Sequence, residues 1–403
     1  MYIKINTQGN SIPVSDIDAE RKRAEEAFDR LWSGSIPMTG WVKAPVERDE
    51  DETGRVLEAA DAVKQKAELM VVIGIGGSYM GAKAAIEALP KTEPGIEVMF
   101  AGTNFSSGDY RRTMAEMRKR ETVLCVVSKS GNTLEVKAGF DILRSLMREK
   151  YGEETAGRIM TVTGSSGLLR EETEREGYVN FFIPEDTGGR YSALTPAGIL
   201  PMAVSGIDVR ALLDGAGDMA VWPAWKENGL DYAISRYLLS ERGKYIEVME
   251  FYDPALRWLG EWIKQLYGES EGKDGKGIFP ATLSFSTDLH SMGQFLQQGR
   301  QVFAETSIVA DSCQDAVVIP EGELKGKSLE DINRAAFEGV SAAHRKAGIP
   351  FTEIHMPELN SYYYGQLLYF LETTCAVTAM LSGVDPFNQP GVERYKEEMR
   401  KKI

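Results

Sequence analysis

Between Leu69 and Ile183 the chain alternates short, largely apolar runs with amphipathic stretches, and this alternation limits the fold more than any other feature. Leu69–Ile75, Ile96–Phe100, Thr122–Val127, Arg158–Val162 and Val179–Ile183 read as strands. Helical patterns over Ser78–Leu89, Ser106–Arg118, Thr133–Glu149 and Leu168–Glu176 separate them. Strands that lack polar alternation must be covered on both faces, so the pattern predicts a parallel sheet flanked by helices. In such sheets ligands bind beyond the carboxyl ends of the strands.

A second α/β unit follows. Lys244–Phe251, Leu283–Ser286, Val302–Ile308 and a run around Phe351–His355 read as strands. Pro254–Leu266, Leu289–Gln298, Ser328–Lys346 and Tyr362–Leu381 read as helices. The last is apolar on most faces and is expected to be central or at an interface. Leu194–Ser205 reads as an apolar helix despite Pro196 and Pro201. Residues 1–66 read as a helical lead-in, with Ser15-Asp16-Ile17-Asp18 capping a helix through about Trp32 and a second helix over Asp51–Gln65. The division expected is a lead-in over 1–66, α/β domains over 67–187 and 188–384, and a C-terminal segment and helix over 385–403. The fold class is α/β, each domain a mainly parallel sheet flanked by helices.

The net charge of −14 argues against nucleic acid, whose phosphates reward the opposite sign, but it leaves room for a small anion in a local positive field. The apolar stretch Gln366–Val384 contains Glu372, Thr373, Thr374 and Ser382, which suits a buried helix rather than a membrane span. Met1-Tyr2-Ile3-Lys4-Ile5 lacks a signal-peptide pattern. Cys125, Cys313 and Cys375 lie far apart without CxxC spacing, so a cytoplasmic location is expected. The three histidines, His290, His344 and His355, form no recognisable ligand motif. No metal or other cofactor is expected.

Two of the strand ends are rich in glycine and hydroxyls. Ser128-Lys129-Ser130-Gly131-Asn132-Thr133 joins a strand to a helix, where backbone N–H groups and the helix dipole favour an anion and Lys129 adds a full charge. An ordinary helix cap with a solvated lysine would have the same sequence. Gly74-Ile75-Gly76-Gly77-Ser78 invites a dinucleotide reading, which fails: the third glycine position of G-x-G-x-x-G is Tyr79. A glycine turn that lets backbone approach a small ligand remains. Gly188-Gly189-Arg190 presents a cation, either to a ligand or to solvent. Gln265–Gly277 reads as a loop dense in glycine and charge that could place a carboxylate over a ligand. By themselves, His290 suits a structural role and Lys396 a helix surface.

Taken in order, these stretches resemble the glucose-6-phosphate isomerase family of the short bacterial type, from about Val71 to Lys396. The resemblance rests on Gly74–Ser78, Ser128–Thr133, Gly188-Gly189-Arg190-Tyr191-Ser192, Gly268-Glu269-Ser270, Asp288-Leu289-His290, and Gln389-Pro390-Gly391-Val392-Glu393 with Lys396. It implies two sugar-isomerase (SIS-type) domains with the active site between them and a homodimer in which the neighbouring subunit supplies His290. It further implies phosphate binding by Ser128, Lys129, Ser130 and Thr133, Glu269 as general base, and Arg190 as the group that meets transition-state charge. His290 and Lys396 would open the sugar ring. Gly77, Ser78, Gln265 and Gln389 would line the sugar site, with Glu135 near His290. Two departures, Asp385-Pro386-Phe387-Asn388 and a chain that stops seven residues after Lys396, touch no proposed catalytic group and bear on oligomer packing.

The implied reaction suits these residue types. Aldose–ketose conversion moves a proton between C2 and C1, which one carboxylate can do through an enediol without metal or redox help. A fixed arginine suits the developing oxyanion, and a histidine with a lysine suits ring opening. A regulator of the same fold would keep Ser128–Thr133 yet have no need of Glu269, Arg190 and Lys396. A nucleotide-dependent oxidoreductase lacks its fingerprint here.

Overall fold

A computed structural model describes residues 1–312 and 316–402; Cys313 lies outside the described residues. The strands in chain order are β1 (Lys4–Asn6), β2 (Leu69–Ile73), β3 (Glu97–Ala101), β4 (Thr122–Val127), β5 (Ile159–Thr163), β6 (Val179–Phe182), β7 (Ile246–Phe251), β8 (Phe279–Ser284), β9 (Phe303–Ala310) and β10 (Phe351–Met356). They form two five-stranded sheets, ordered β3-β2-β4-β5-β6 and β1-β10-β9-β7-β8.

The first sheet lies in a compact unit over 36–217 and is parallel throughout. Every residue of β2, β4 and β5 is buried, as strands covered on both faces require. One face packs Leu69, Val71, Ile73, Leu124 and Val126 against Phe140, Leu143 and Met147 of the helix Leu134–Tyr151. The register aligns Ile73 with Val126, so β2 and β4 end side by side. Both glycine- and hydroxyl-rich motifs leave the sheet at that edge.

The second unit joins Met1–Ser35 to Asp218–Ile403. Its sheet is parallel except at β1, which runs antiparallel to β10 with Ile5 opposite Ile354. The helix Ser361–Leu381 is buried on nearly all faces, in line with its all-round apolar pattern. The helices Val14–Ser33, Asp231–Glu241 and Arg257–Glu271 pack against it.

This division differs from the one expected at 66 and 187. The lead-in is not only helical: β1 extends a sheet edge, and the Ile3 N–H donates to Gln366 Oε1 at 3.0 Å. Likewise the helix Pro196–Ser205, buried along its whole length, packs on the helices Glu50–Lys66 and Met80–Ala88 and on β2 and β3, so 188–217 belongs with the first sheet. The helix Val14–Ser33 starts after Pro13, not at a Ser15 or Asp16 cap, because Pro13 sets the entry and no side chain caps it. The charged stretch after Leu266 is helical as far as Glu271, since Leu259, Trp262, Ile263, Leu266 and Tyr267 continue one apolar face into it. β8 begins at Phe279 rather than Leu283; as an edge strand it accommodates Pro280.

The second sheet buries an acidic group no sequence pattern displayed. Glu250 of β7 and Glu305 of β9 face His344 of the helix Leu329–Lys346, with one carboxylate oxygen or ring nitrogen of each within 4.8 Å of the others. His344 Nδ1 lies 2.8 Å from Glu305 Oε2. Burial pushes Glu305 up to about 8 and lowers His344, so at neutral pH this contact is a hydrogen bond between uncharged groups. Burial also raises Glu250, and the neighbouring Glu305 adds to the shift. Protons are therefore retained in the folded state that the unfolded chain gives up above the ordinary carboxylate range. Stability should fall as pH rises from that range through about 8, by on the order of a few kcal/mol. Glu305→Gln removes one of the titrating groups, so denaturant midpoints at pH 6 and pH 9 should lie closer together than in the native chain.

Candidate active site

The turn after β4 is built by its own hydroxyls. Ser128 Oγ accepts the Gly131 N–H at 3.0 Å and Ser130 Oγ accepts the Asn132 N–H at 3.3 Å. Gly131 holds φ +76, and a Cβ there would meet Leu169 N at 2.5 Å, so only glycine lets the turn lie flush against the start of the helix Leu168–Glu176. Thr133 ends the turn as the N-cap residue of Leu134–Tyr151, yet its side chain makes no cap hydrogen bond. The first-turn N–H groups thus have no side-chain cap, unlike in the ordinary capping arrangement. Ser128 is buried, Lys129 and Thr133 are half-buried and Ser130 is exposed. Lys129 is not simply solvated: its Nζ donates to the Glu185 carbonyl at 2.6 Å. Glu135 sits in the first helical turn, half-buried, in a different unit from His290.

The two glycine motifs of this unit meet each other. Gly76–Ser78 and Gly189–Tyr191 are short 3-10 turns in contact. A Cβ on Gly77 would fall 1.9 Å from the Gly189 carbonyl oxygen and 2.8 Å from Arg190 N. The close approach expected of the first glycine turn is therefore made to the chain's own backbone. Ser192 Oγ ties the pair, donating to the Gly189 carbonyl at 2.6 Å and lying 3.4 Å from the Gly77 carbonyl. Arg190 is only 4% exposed, which excludes the solvated-arginine reading. Its guanidinium carbon lies 5.9 Å from the Tyr191 ring, and that ring stacks on Trp41 at 4.7 Å. A permanent cation is held buried on a braced turn.

The other expected residues belong to the second unit. Gln265 and Glu269 lie one turn apart on Arg257–Glu271, with Gln265 Nε2 3.5 Å from Glu269 Oε2. That last turn is pinned from inside. Glu271 is buried and pairs with Arg236, whose Nε also donates to Glu247 Oε2 at 2.6 Å. Arg236 stacks over the Tyr267 ring at 4.0 Å. Glu269 therefore projects from a braced helix end rather than from the charged loop that its glycine-rich surroundings suggested. His290 ends the 3-10 turn Thr287–His290 after β8 and is exposed; Asp288 fixes the turn by accepting the Ser284 N–H at 2.7 Å. Gln389 precedes the helix Pro390–Arg400, where Lys396 Nζ lies 3.1 Å from Glu393 Oε1.

Residues 55–403 match the family described as phosphoglucose isomerase. The chain belongs to that family. It is 44% identical to a glucose-6-phosphate isomerase of Alkaliphilus metalliredigens over 421 aligned residues, spanning 99% of this chain and 94% of the relative. It is 42% identical to one of Clostridium novyi, spanning 97% and 92%. Among solved structures, a hypothetical protein of Thermus thermophilus superposes with TM-score 0.91 at 29% identity, covering 99% of both chains. A glucose-6-phosphate isomerase of Chlamydia trachomatis shares the fold at TM-score 0.87 and 20% identity, covering 99% of this chain and 88% of that one.

Some contacts that brace the candidate site in this phosphoglucose isomerase family member carry no signal in the sequence. Ser192 braces Gly77 from 115 residues away, and Arg236 pins the Glu269 helix from 35 residues before Glu271. Glu185 was also silent in sequence. Its carboxylate accepts the N–H and hydroxyl of Ser165, each at 2.8 Å, and these bonds hold it below the ordinary carboxylate range. The tie between Glu185 and Ser165 becomes visible only once the ends of β5 and β6 are placed side by side. No described helix is long and apolar enough to cross a membrane.

Proposed function

We propose that the chain interconverts glucose 6-phosphate and fructose 6-phosphate through a cis-enediol, in glycolysis and gluconeogenesis, as a cytoplasmic homodimer. The observation that carries this reading is that every residue the chemistry calls for stands within one family match over 55–403. Ser128, Lys129, Ser130 and Thr133 bind the phosphate, using the uncapped helix start and the lysine charge. Gly77, Ser78, Gln265 and Gln389 line the sugar. His290, supplied by the partner subunit near Glu135, and Lys396 open the ring by moving protons at the ring oxygen and O1.

Glu269 then takes the proton from C2 and returns it to C1. Arg190 meets the negative charge that develops on the enediolate oxygen, and its burial makes that charge–charge contact stronger than it would be in water. The braced helix end beneath Glu269 spares the reaction part of the entropic cost of positioning a base. Phosphate binding far from the reacting carbons orients them. Mannose 6-phosphate is the candidate second substrate.

Lys129→Ala tests the cradle. It should raise KM about tenfold or more with a smaller change in kcat, since a charge-assisted contact to the phosphate is lost in ground and transition state alike. An unchanged inhibition constant for a phosphorylated sugar acid would count against phosphate binding here.

A further inference from the structure

Glu185 has no part in the reaction above, yet it stands beside the lysine of the cradle. Its Oε2 lies 3.6 Å from Lys129 Nζ, while Oε1 is fixed by the Ser165 N–H and hydroxyl. The same ammonium donates to the Glu185 carbonyl at 2.6 Å and lies 3.4 Å from the Thr187 carbonyl. The two carbonyls take two of the three donors of the ammonium, and the Glu185 carboxylate lies at ion-pair distance from it. All come from one short segment, closed by a Thr187 N–H to Pro184 carbonyl bond of 3.1 Å and tied by a Gly40 N–H to Asp186 carbonyl bond of 3.2 Å. An anion reaching Lys129 competes with these three groups for its charge. Two are neutral carbonyls; the third is a carboxylate whose side chain is 60% exposed.

We propose that Glu185 is a positioning residue that competes with the substrate phosphate for the Lys129 ammonium and so sets the affinity of the cradle for phosphate. The proposal rests on the phosphate reading of the Ser128–Thr133 turn. Glu185 holds the lysine in one pose between two loops when no phosphate is bound, and part of the phosphate's binding energy goes into replacing it. Because the carboxylate is exposed and the lysine only half-buried, the effect is modest and screened by salt. Glu185→Gln keeps an oxygen for both Ser165 donors and removes only the charge.

The test is calorimetric titration of the full chain with inorganic phosphate at about 0.05 M and about 0.5 M salt. Glu185→Gln should bind phosphate about two- to fivefold more tightly than the native chain at low salt, with the gap shrinking at high salt. In a Lys129→Ala background the substitution should change nothing, an effect that general loosening of the loop would not reproduce. Equal or weaker binding by Glu185→Gln overturns the proposal, as does a gain that persists without Lys129. A native chain that binds no phosphate overturns the phosphate reading and this proposal together. Phosphate binding that is insensitive to Glu185 overturns this proposal alone.

Discussion

Replacing Glu269 by glutamine is expected to lower turnover by about 10³-fold, within the range assigned to a lost general base, while a sugar phosphate binds within about threefold of its native affinity. Glutamine preserves the size of the side chain and its hydrogen-bonding partner Gln265, 3.5 Å away, but cannot accept the C2 proton. The helix end should not move, because Glu271 and Arg236 pin it independently of Glu269. Steady-state kinetics with calorimetry on the same variant separates the two quantities. A large loss of affinity at normal turnover would remove Glu269 from the role of base and make it a binding group.

Gly77→Ala is expected to cost about 10²-fold in kcat/KM although the substitution adds one methyl group and removes no ionisable side chain. The new Cβ would stand 1.9 Å from the Gly189 carbonyl oxygen, and the obstacle is backbone rather than a side chain that could swing aside. Relief requires the Gly189–Tyr191 turn to retreat, and Arg190 goes with it. The Trp41–Tyr191 stack and the Ser192 tie resist that movement, so thermal stability should drop as well. Gly188→Ala makes the control: a Cβ there has nothing closer than 3.9 Å, so it should be far milder. Equal effects at the two positions would contradict the account of how Arg190 is placed.

Much of the first sheet was legible because fully apolar strands such as Thr122–Val127 leave few alternatives: the strand lies where the sequence puts it. The helix Leu168–Glu176 was likewise clear. Legibility failed where tertiary pairing overrides local composition. The stretch after Leu266 looks like a loop because of Gly268, Glu269 and Glu271, but Arg236 neutralises Glu271 inside the protein and lets the helix continue. β1 is only three residues long and finds its place by pairing with β10 near the other end of the chain, Ile5 opposite Ile354, which no local pattern reveals. At the candidate site, charge and glycine spacing singled out Ser128–Thr133 and Arg190 but left a plain helix cap and a solvent-facing arginine equally open. What the sequence could not show was that Gly77 packs on the Arg190 turn, that Lys129 is engaged by Glu185, or that Glu250, Glu305 and His344 converge. Each depends on distances between elements far apart along the chain.

The measurement that bears most directly on the central claim is conversion of fructose 6-phosphate to glucose 6-phosphate, followed through an NADP-linked dehydrogenase in the presence of EDTA. Turnover should persist in EDTA in the native chain and collapse in Glu269→Gln. Absence of turnover in a folded chain that still binds the sugar phosphate by calorimetry would contradict that claim and point to a sugar-phosphate-binding regulator of the same fold.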